Sequence, residues 1–316
     1  MIFIGIDIGG TFIKFTAINA KKEILKSTQI PTNTKLTAAD FIEQLAQKVK
    51  EIQQQLKAKA VIIGLGIAGD TDDKEGVLHF APNIPWRNFK IAKLLSKATN
   101  FKCYACNDAN MAAWGIYEKE FKKKFQNLIV ITLGTGIGSG LIVEGKLYQG
   151  AFGSAGEIGH LKVDYSKTAL KCACGHKGCL EAYIGTKGLK KQMQNAAKKE
   201  PKSVLAKLLK ENDFSVKLLS LAAAKNDKNA LAIWHNFGST LACALSDIVL
   251  LLNPQAIILA GGVAKGSKYF IPAVKEVFKK QVIKRPFKDL KVLISKQENI
   301  GALGAALYAL SKQDEK

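Results

Sequence analysis

The hydrophobic residues of this chain alternate between short apolar runs and longer segments with helical spacing. Three runs, Ile2–Asp7, Ile13–Ile18 and Ala60–Leu65, have the length and the β-branched content of buried strands. Apolar residues recur at helical spacing over Thr37–Leu56 and predict an amphipathic helix. The N-terminal pattern therefore predicts a mixed α/β fold.

Strands and helices continue to alternate toward the C-terminus. The segment "ANMAAWGIYEKEF", directly after Asn107 and Asp108, predicts a helix, and "NLIVITLGTGIGSGLIVEGKLY" predicts a second set of strands. Several helices are expected between Thr186 and Leu252, then a strand at "AIILAGG" and a small-residue helix at "GALGAALYAL". With 316 residues, the chain is long enough for two domains.

The longest apolar stretch, Leu241–Val263, has to be weighed as a membrane span. Asp247 and the pair Asn253-Pro254 interrupt it, so we expect a buried helix followed by a buried strand. The first residues lack the basic region and the cleavage site of a signal peptide. We therefore expect a cytoplasmic protein with no membrane partner.

Two glycine-rich turns each follow a predicted buried strand, and the first is "GIDIGGT". Gly9 and Gly10 can adopt positive φ and let backbone amides approach a phosphate. Thr11 adds a hydroxyl, and Asp7 ends the strand with a carboxylate suited to a water-bound Mg²⁺. A tight hairpin without a ligand would explain the same residues.

The second turn, "LGTGIGSG", alternates glycine with threonine, isoleucine and serine. Its candidate phosphate-binding residues are Gly134, Thr135, Gly136 and Gly138. Because both turns join two apolar strands, they indicate two related lobes that face each other and join near residue 108. The segment "GLGIAG" at 64–69 matches the dinucleotide fingerprint, but no helix pattern follows it, which argues against a nicotinamide cofactor.

The net charge of +21 raises the question of a nucleic-acid partner. Arg87 and Arg285 are the only arginines, and the lysines are spread over the whole chain. Proteins that read nucleic acids usually cluster their positive charge and use arginine for bidentate contacts. We therefore interpret the charge as a lysine-rich surface and expect no nucleic-acid partner.

Three of the six cysteines lie within eight positions, at Cys172, Cys174 and Cys179. Gly175 and Gly178 supply turns that can fold the three sulfurs around one ion. In a reducing compartment such a cluster favours a metal over disulfides, and structural zinc sites prefer four cysteine or histidine ligands. The spacing therefore predicts a zinc site that lacks one ligand.

Two histidines could supply the fourth zinc ligand. His176 lies inside the cysteine segment, and His160 lies upstream in "GSAGEIGHLKVD". Cys103 and Cys106 form a C-x-x-C pair on an apparent strand, and we interpret them as core thiols.

Several of these segments together resemble the ROK family of bacterial sugar kinases and sugar-responsive repressors. The most specific is "LGTGIGSGLIVEGKLYQGAFGSAGEIGHLKVD" followed by "CACGHKGCLEAY". "DIGGT", "NDAN", "LAGGV" and "IGALGAALYA" fit the family in the same order, so the resemblance covers essentially the whole chain. It implies an α/β fold of two lobes, the actin/hexokinase-like (ribonuclease H-like) ATPase fold. Residues 1–107 plus 299–316 would form the small N-terminal lobe, and 108–298 the large lobe with the zinc site.

The resemblance also implies the roles of individual residues. His160 would be the fourth zinc ligand beside Cys172, Cys174 and Cys179. ATP with Mg²⁺ would bind across both glycine turns, and Gly261, Gly262 and Val263 would border the adenosine. The implied sugar-binding residues are Asn83, Asn107, Asp108, Glu157, His160 and Glu181.

Asp108 corresponds to the catalytic base of the family, which accepts the proton of the sugar hydroxyl as the bond to phosphorus forms. From the sequence alone, Asp108 could equally be the N-cap of the following helix, and Asn83 could be a turn residue. His160 would use one ring nitrogen for zinc and the other for the sugar.

The expected reaction is ATP-dependent phosphorylation of a hexose. "APNIPWRNF" resembles the glucokinase segment and favours glucose, with fructose, mannose or an N-acetylhexosamine as alternatives. The first phosphate motif begins at residue 5, which leaves no room for the helix-turn-helix of the repressors and favours a kinase over a sugar-responsive regulator. After Glu181 the chain departs from the family with "AYIGTKG". Sugar and ATP are the expected partners, in a homodimer.

Overall fold

The computed structural model describes residues 1–81, 84–122, 124–297 and 299–314. The strands are β1 (Ile2–Ile8), β2 (Phe12–Ile18), β3 (Ile24–Pro31), β4 (Val61–Ile67), β5 (Asp70–Asp72), β6 (Val77–Phe80), β7 (Lys102–Asn107), β8 (Leu128–Leu133), β9 (Ile137–Val143), β10 (Lys146–Tyr148), β11 (Ala256–Ala260) and β12 (Lys291–Ile294). The helices are α1 (Ala38–Gln55), α2 (Ile91–Thr99), α3 (Asp108–Ile116), α4 (Leu180–Ile184), α5 (Thr186–Lys199), α6 (Val204–Glu211), α7 (Val216–Ala224), α8 (Lys228–Leu252), α9 (Ser267–Gln281), α10 (Lys284–Asp289) and α11 (Gly301–Asp314). The predicted alternation of strands and helices is confirmed.

The chain divides into two compact units. The first contains Met1–Asn127, Gly140–Gly156 and Gln297–Lys316, and the second contains Leu128–Ser139 and Glu157–Lys296. The predicted lobe boundary after residue 107 differs from this division, because α3 packs within the first unit.

Close packing of α3 on the C-terminal helix α11 explains why α3 belongs to the first unit. A Cβ on Gly304 would lie 1.8 Å from the carbonyl oxygen of Met111, and a Cβ on Gly115 would lie 2.9 Å from Cα of Gly304. Only glycine allows the two helix backbones to approach this closely. The small-residue pattern "GALGAALYAL" therefore marks a helix–helix contact.

The sheet of the first unit has the strand order β3-β2-β1-β4-β7. β1, β2 and β3 form an antiparallel meander, whereas β4 pairs parallel with both β1 and β7. Every residue of β4 is buried, as expected for a central parallel strand covered on both faces.

The predicted amphipathic helix is α1, which begins and ends within one residue of its predicted bounds. The hydroxyl of its N-cap residue, Thr37, accepts a hydrogen bond from the backbone amide of Asp40. One face of α1 is buried in the core of the first unit through Phe41, Leu45 and Val49.

A second sheet has the order β10-β9-β8-β11-β12, in which β11 pairs parallel with both β8 and β12. The apolar stretch Leu241–Val263 forms the end of α8 and then β11, as predicted. By length and composition α8 could cross a membrane, but half of its apolar window is buried in the protein, and core helices pass the same test.

Candidate functional site

The carboxyl ends of β1, β4 and β7 lie side by side at one edge of the first sheet. In the register, Asp7 of β1 pairs with Gly66 of β4, and Ile67 of β4 pairs with Asn107 of β7. Since neighbouring strands are about 4.8 Å apart, this order brings Asp7 and Asp108 to the same edge of the sheet, with the one strand β4 between them. Ligands of open α/β sheets commonly bind outside the carboxyl ends of strands.

The N-cap of α3 is Asn107, not Asp108. The side-chain oxygen Oδ1 of Asn107 accepts hydrogen bonds from the backbone amides of Ala109 at 2.8 Å and Asn110 at 3.3 Å. Its amide nitrogen donates to the carbonyl oxygen of Gly69 at 3.0 Å. The capping alternative for Asp108 is therefore wrong. Asp108 is the first residue of α3, and the predicted sugar contact of Asn107 would be an addition to its capping role.

Asp7 and Asp108 both hold protons more tightly than ordinary carboxyl groups. Burial and the negative charge of Asp108 raise the pKa of Asp7 from 3.8 to about 6, although the ammonium of Lys14 acts to lower it. Burial raises the pKa of Asp108, against the stabilising effect of the backbone amides of Ala109 and of Asp108 itself. Paired carboxyl groups with raised pKa values in one place are typical of functional sites.

The first glycine turn has a different physical basis from the predicted one. Neither Gly9 nor Gly10 has positive φ, so that part of the prediction is wrong. The Gly9 amide donates to the carbonyl oxygen of Phe12, and a Cβ on Gly9 would lie 3.0 Å from that oxygen. Gly10 and Thr11 are exposed. Glycine is therefore needed at position 9 because the carbonyl oxygen of Phe12 lies close to it within the hairpin.

The N-terminus of α11 reaches Asp7, a contact that the sequence did not suggest. A Cβ on Gly301 would lie 2.6 Å from Oδ2 of Asp7, so glycine leaves the space that the carboxylate occupies. Lys14 donates to the side chain of Asn299 at 2.7 Å, directly before this helix. The partial positive charge of a helix N-terminus favours a nearby carboxylate.

The second glycine turn holds the carboxylate of Glu181 in the second unit. The backbone amide of Ile137 donates to Oε2 of Glu181 at 2.9 Å, and a Cβ on Gly136 would lie 2.5 Å from the same atom. Thr186 donates through its hydroxyl to the carbonyl oxygen of Gly134 at 2.6 Å. Of the other predicted phosphate contacts, Thr135 is exposed and Gly138 is partly exposed.

The cysteine segment brings four potential metal ligands together. The ligand atoms of His160, Cys172, Cys174 and Cys179 all lie within 4.8 Å of one another. Sγ of Cys174 and Sγ of Cys179 are 3.7 Å apart. A tetrahedron with Zn–S bonds of about 2.3 Å has sulfur atoms about 3.8 Å apart, so the arrangement fits a zinc ion.

Backbone turns of the cysteine segment follow the prediction. Gly175 has a φ of 91° and Gly178 a φ of 79°, which L-residues rarely adopt. Burial raises the pKa of Cys174, but the amide and ring of His176 and the neighbouring thiols lower it to about 6 overall. His176 is not part of the four-residue group, although its Nδ1 lies 3.7 Å from Sγ of Cys174.

The two ring nitrogens of His160 face different groups. Nδ1 lies 3.8 Å from Sγ of Cys172, and Nε2 lies 3.9 Å from Oε2 of Glu157. One nitrogen is thus available to a metal while the other points to a carboxylate that is half exposed. This arrangement is compatible with the predicted double role of His160.

The remaining residues predicted to contact ATP or sugar differ in how accessible they are to a ligand. Gly261 has a φ of 93°, and a Cβ there would lie 2.4 Å from the carbonyl oxygen of Leu133. Gly262 is exposed with open space beside it, whereas the side chain of Val263 is buried, which leaves only its backbone for a ligand. Asn83 lies outside the described residues.

One polar residue near Asp108 was missed by the sequence reasoning. Asn110 is 2% exposed, and its Oδ1 has no hydrogen-bond partner among the described residues. The segment "NDAN" contains it, but only burial shows that its side chain lies inside the protein.

Comparison with known proteins agrees with the family resemblance of the sequence. The family model described as "ROK family" matches residues 3–312. A glucokinase of Halalkalibacterium halodurans is 31% identical over 90% of this chain and 87% of its own, and the xylose repressor of Bacillus subtilis is 29% identical over 91% of this chain and 70% of its own. The crystal structure of a ROK family glucokinase from Streptomyces griseus, in complex with glucose and AMPPNP, superimposes with a TM-score of 0.80 at 31% identity, over 98% of this chain and 100% of that one. The predicted fold class is confirmed.

Proposed function

Because this chain belongs to the ROK family, we propose that it is a sugar kinase that transfers the γ-phosphoryl group of ATP to a hexose. Glucose is the proposed acceptor and glucose 6-phosphate the product. The observation that carries the proposal is the position of Asp108 at the carboxyl end of β7, with its carboxylate not needed as the cap of α3.

Asp108 is proposed as the general base. The hydroxyl oxygen of the sugar attacks the γ-phosphorus, the bond from phosphorus to the bridging oxygen breaks, and ADP leaves. The hydroxyl proton passes to the Asp108 carboxylate. Burial raises the pKa of Asp108, which brings its basicity closer to that needed near neutral pH.

Asp7 and the glycine turns are proposed to handle the phosphate charge. The Asp7 carboxylate, partly buried at the end of β1 and with a pKa of about 6, suits a Mg²⁺ ion held through water. A magnesium ion would neutralise charge on the phosphoryl group. Amides of each turn, around Gly9 and Gly136, would bind nucleotide phosphates.

A structural zinc ion is proposed at His160, Cys172, Cys174 and Cys179. The 3.7 Å separation of two sulfurs supports this ligand set. Zinc would join the turn that carries His160 to the cysteine segment, and so hold Glu157 and Glu181 in a fixed relation. Both carboxylates, with His160, are proposed to bind sugar hydroxyls.

The relatives support glucose, yet they leave a second candidate function. The xylose repressor of Bacillus subtilis supports a sugar-responsive regulator without turnover as the alternative. Fructose, mannose and an N-acetylhexosamine are the alternative acceptors. A cytoplasmic location, a homodimer, and the absence of nucleic-acid and membrane partners stay predictions.

A coupled assay of ADP release across these hexoses tests the proposal. We expect glucose to give the highest kcat/KM. Asp108→Asn should keep glucose and ATP binding and lower kcat by about 10²- to 10⁴-fold. Asp247→Asn, the same chemical change at an exposed position of α8, should match the unaltered chain. Turnover of Asp108→Asn close to normal would remove Asp108 from the mechanism, and glucose binding without ADP release by the unaltered chain would favour a regulator.

A further inference from the structure

The segment after His160 pairs with the end of the cysteine segment, and this pairing positions Lys162. Lys162 and Cys179 form an antiparallel bridge. On either side, the amide of Val163 donates to the carbonyl oxygen of Gly178, and the amide of Leu180 donates to that of Leu161, both at 2.8 Å. Residues directly opposite in such a pair project to the same side. The Lys162 ammonium therefore reaches the thiol of Cys179, where Nζ lies 3.1 Å from Sγ.

All three sulfurs of the cluster receive a hydrogen bond, but from different kinds of donor. The backbone amide of Cys174 donates to Cys172, and the backbone amide of His176 donates to Cys174. Cys179 receives its hydrogen bond from Lys162 instead. Lys162 is thus the one charged donor to the cluster among the residues that the structure describes.

A charged donor differs from a backbone amide because it can offset the net charge of a cluster that holds zinc. Three thiolates, one neutral histidine and Zn²⁺ carry a net charge of −1. Cys179 is fully buried, and a buried charge is costly unless a partner of opposite charge lies beside it. An ammonium group at hydrogen-bond distance brings the net charge of the assembly to zero.

We propose that Lys162 is a positioning residue for the metal: its ammonium neutralises the cluster through Cys179 and sets the affinity for zinc. This inference rests on the proposed zinc site and goes beyond it, since it concerns a residue that is not a ligand. Groups that hydrogen-bond to metal ligands typically change metal affinity about 10- to 100-fold when they are removed.

Two other lysines in the same segment provide matched controls. Lys171 and Lys177 form a backbone bridge with each other at the base of the cysteine loop, and both are exposed. Neither ammonium donates to a sulfur within the described part of the chain. If overall positive charge were what mattered, removing Lys177 would have the same effect as removing Lys162.

The test measures zinc directly. Zinc content and dissociation constants are determined by competition with a chromophoric chelator for the unaltered chain, Lys162→Met, Lys162→Arg and Lys177→Met. We expect a loss of affinity of about 10- to 100-fold for Lys162→Met, substantial recovery in Lys162→Arg, and no change in Lys177→Met. Cobalt-substituted protein should show a shifted sulfur-to-cobalt absorption band only in Lys162→Met, because that band reports on the thiolates.

Each outcome decides between the two proposals. Equal zinc affinity and an unchanged cobalt band in Lys162→Met and Lys177→Met would overturn the role of Lys162 alone. An unaltered chain that binds no zinc would overturn the zinc site together with this inference, while ADP release would still report on kinase activity separately. If Lys162→Met does not fold, Lys162→Gln, which also removes the charge, gives the same comparison with Lys177→Met.

Discussion

The carboxylate of Glu181 accepts a hydrogen bond from the backbone amide of Ile137 at 2.9 Å. This bond ties the first turn of α4 to the second glycine turn within one unit of the protein. It also explains why position 136 is glycine, since a Cβ there would lie 2.5 Å from the same carboxylate oxygen. A residue of the proposed sugar site and a residue of the proposed phosphate turn thus depend on each other.

Adding a methyl group at position 136 should break this bond. The end of a flexible side chain can move away, so Gly136→Ala should lower the free energy of unfolding by about 1.5–3 kcal/mol, the value of one hydrogen bond to a charged group. Urea denaturation would measure it. In a Glu181→Ala background the same substitution should have almost no effect, and an equal loss in both backgrounds would contradict the explanation. Gly134→Ala, where a Cβ meets nothing within 4 Å, is the control for stability.

The raised pKa of Asp7 predicts a specific pH dependence of stability. The folded chain holds the Asp7 proton up to a pH of about 6, whereas an unfolded chain releases it near 3.8. The folded state therefore binds more protons in this window, and Asp7 makes the protein less stable as the pH rises through it.

Asp7→Asn should consequently stabilise the chain at neutral pH. Without Mg²⁺ and nucleotide, we expect a gain of up to about 2–3 kcal/mol at a pH of about 7 that disappears at a pH of about 4. Urea unfolding of both proteins across this range would measure the difference. A gain of equal size at both ends of the range would show that the Asp7 charge is not its cause.

Loss of zinc should destabilise the second unit. Cys179→Ser should contain less than one zinc ion per chain and melt several degrees lower, because a structural metal contributes its binding energy to folding. Elemental analysis and thermal denaturation would measure both effects. Cys243→Ser, at an exposed cysteine outside the ligand group, is the matched control. Equal zinc content in both variants would contradict the ligand assignment.

Substitutions of Asn107 and of Asp108 should have different effects on the free energy of unfolding. Asn107→Ala removes the cap of α3 and the bond to Gly69, and should lower the free energy of unfolding by about 1 kcal/mol or more. Asn107→Asp keeps the cap but loses the donor to the carbonyl oxygen of Gly69, so it should recover only part of the loss. Asp108→Asn leaves the cap intact and should not lower stability. Comparable destabilisation by Asn107→Ala and Asp108→Asn would show that both residues cap the helix.

Much of the fold could be predicted because it depends on local sequence periodicity. The bounds of α1 follow from the spacing of residues such as Phe41 and Leu45 and from the cap at Thr37. β4 could be predicted because a run of apolar residues fits a strand buried on both faces. The division into units could not, because it depends on how closely two helices approach at Gly115 and Gly304.

The candidate site was predictable in its residue types but not in its contacts. Spacing alone indicated that Cys172, Cys174 and Cys179 could meet, because two glycines supply the turns between them. From spacing alone, His160 and His176 were equally possible as the fourth ligand, since both lie close to the three cysteines along the chain. Tertiary pairing of the segment after His160 with Cys179 brings the more distant histidine into the ligand group.

The sequence by itself determined strands such as β1 and β4, the helix α1, the two glycine turns and the cysteine spacing, since each depends on residues that are neighbours along the chain. Only the tertiary structure decided which residue caps α3, why Gly136 and Gly301 lack side chains, and that Lys162 reaches a sulfur. These features join residues that are distant in sequence or whose roles depend on backbone geometry. Their interactions arise from strand register and helix packing, which no local pattern encodes.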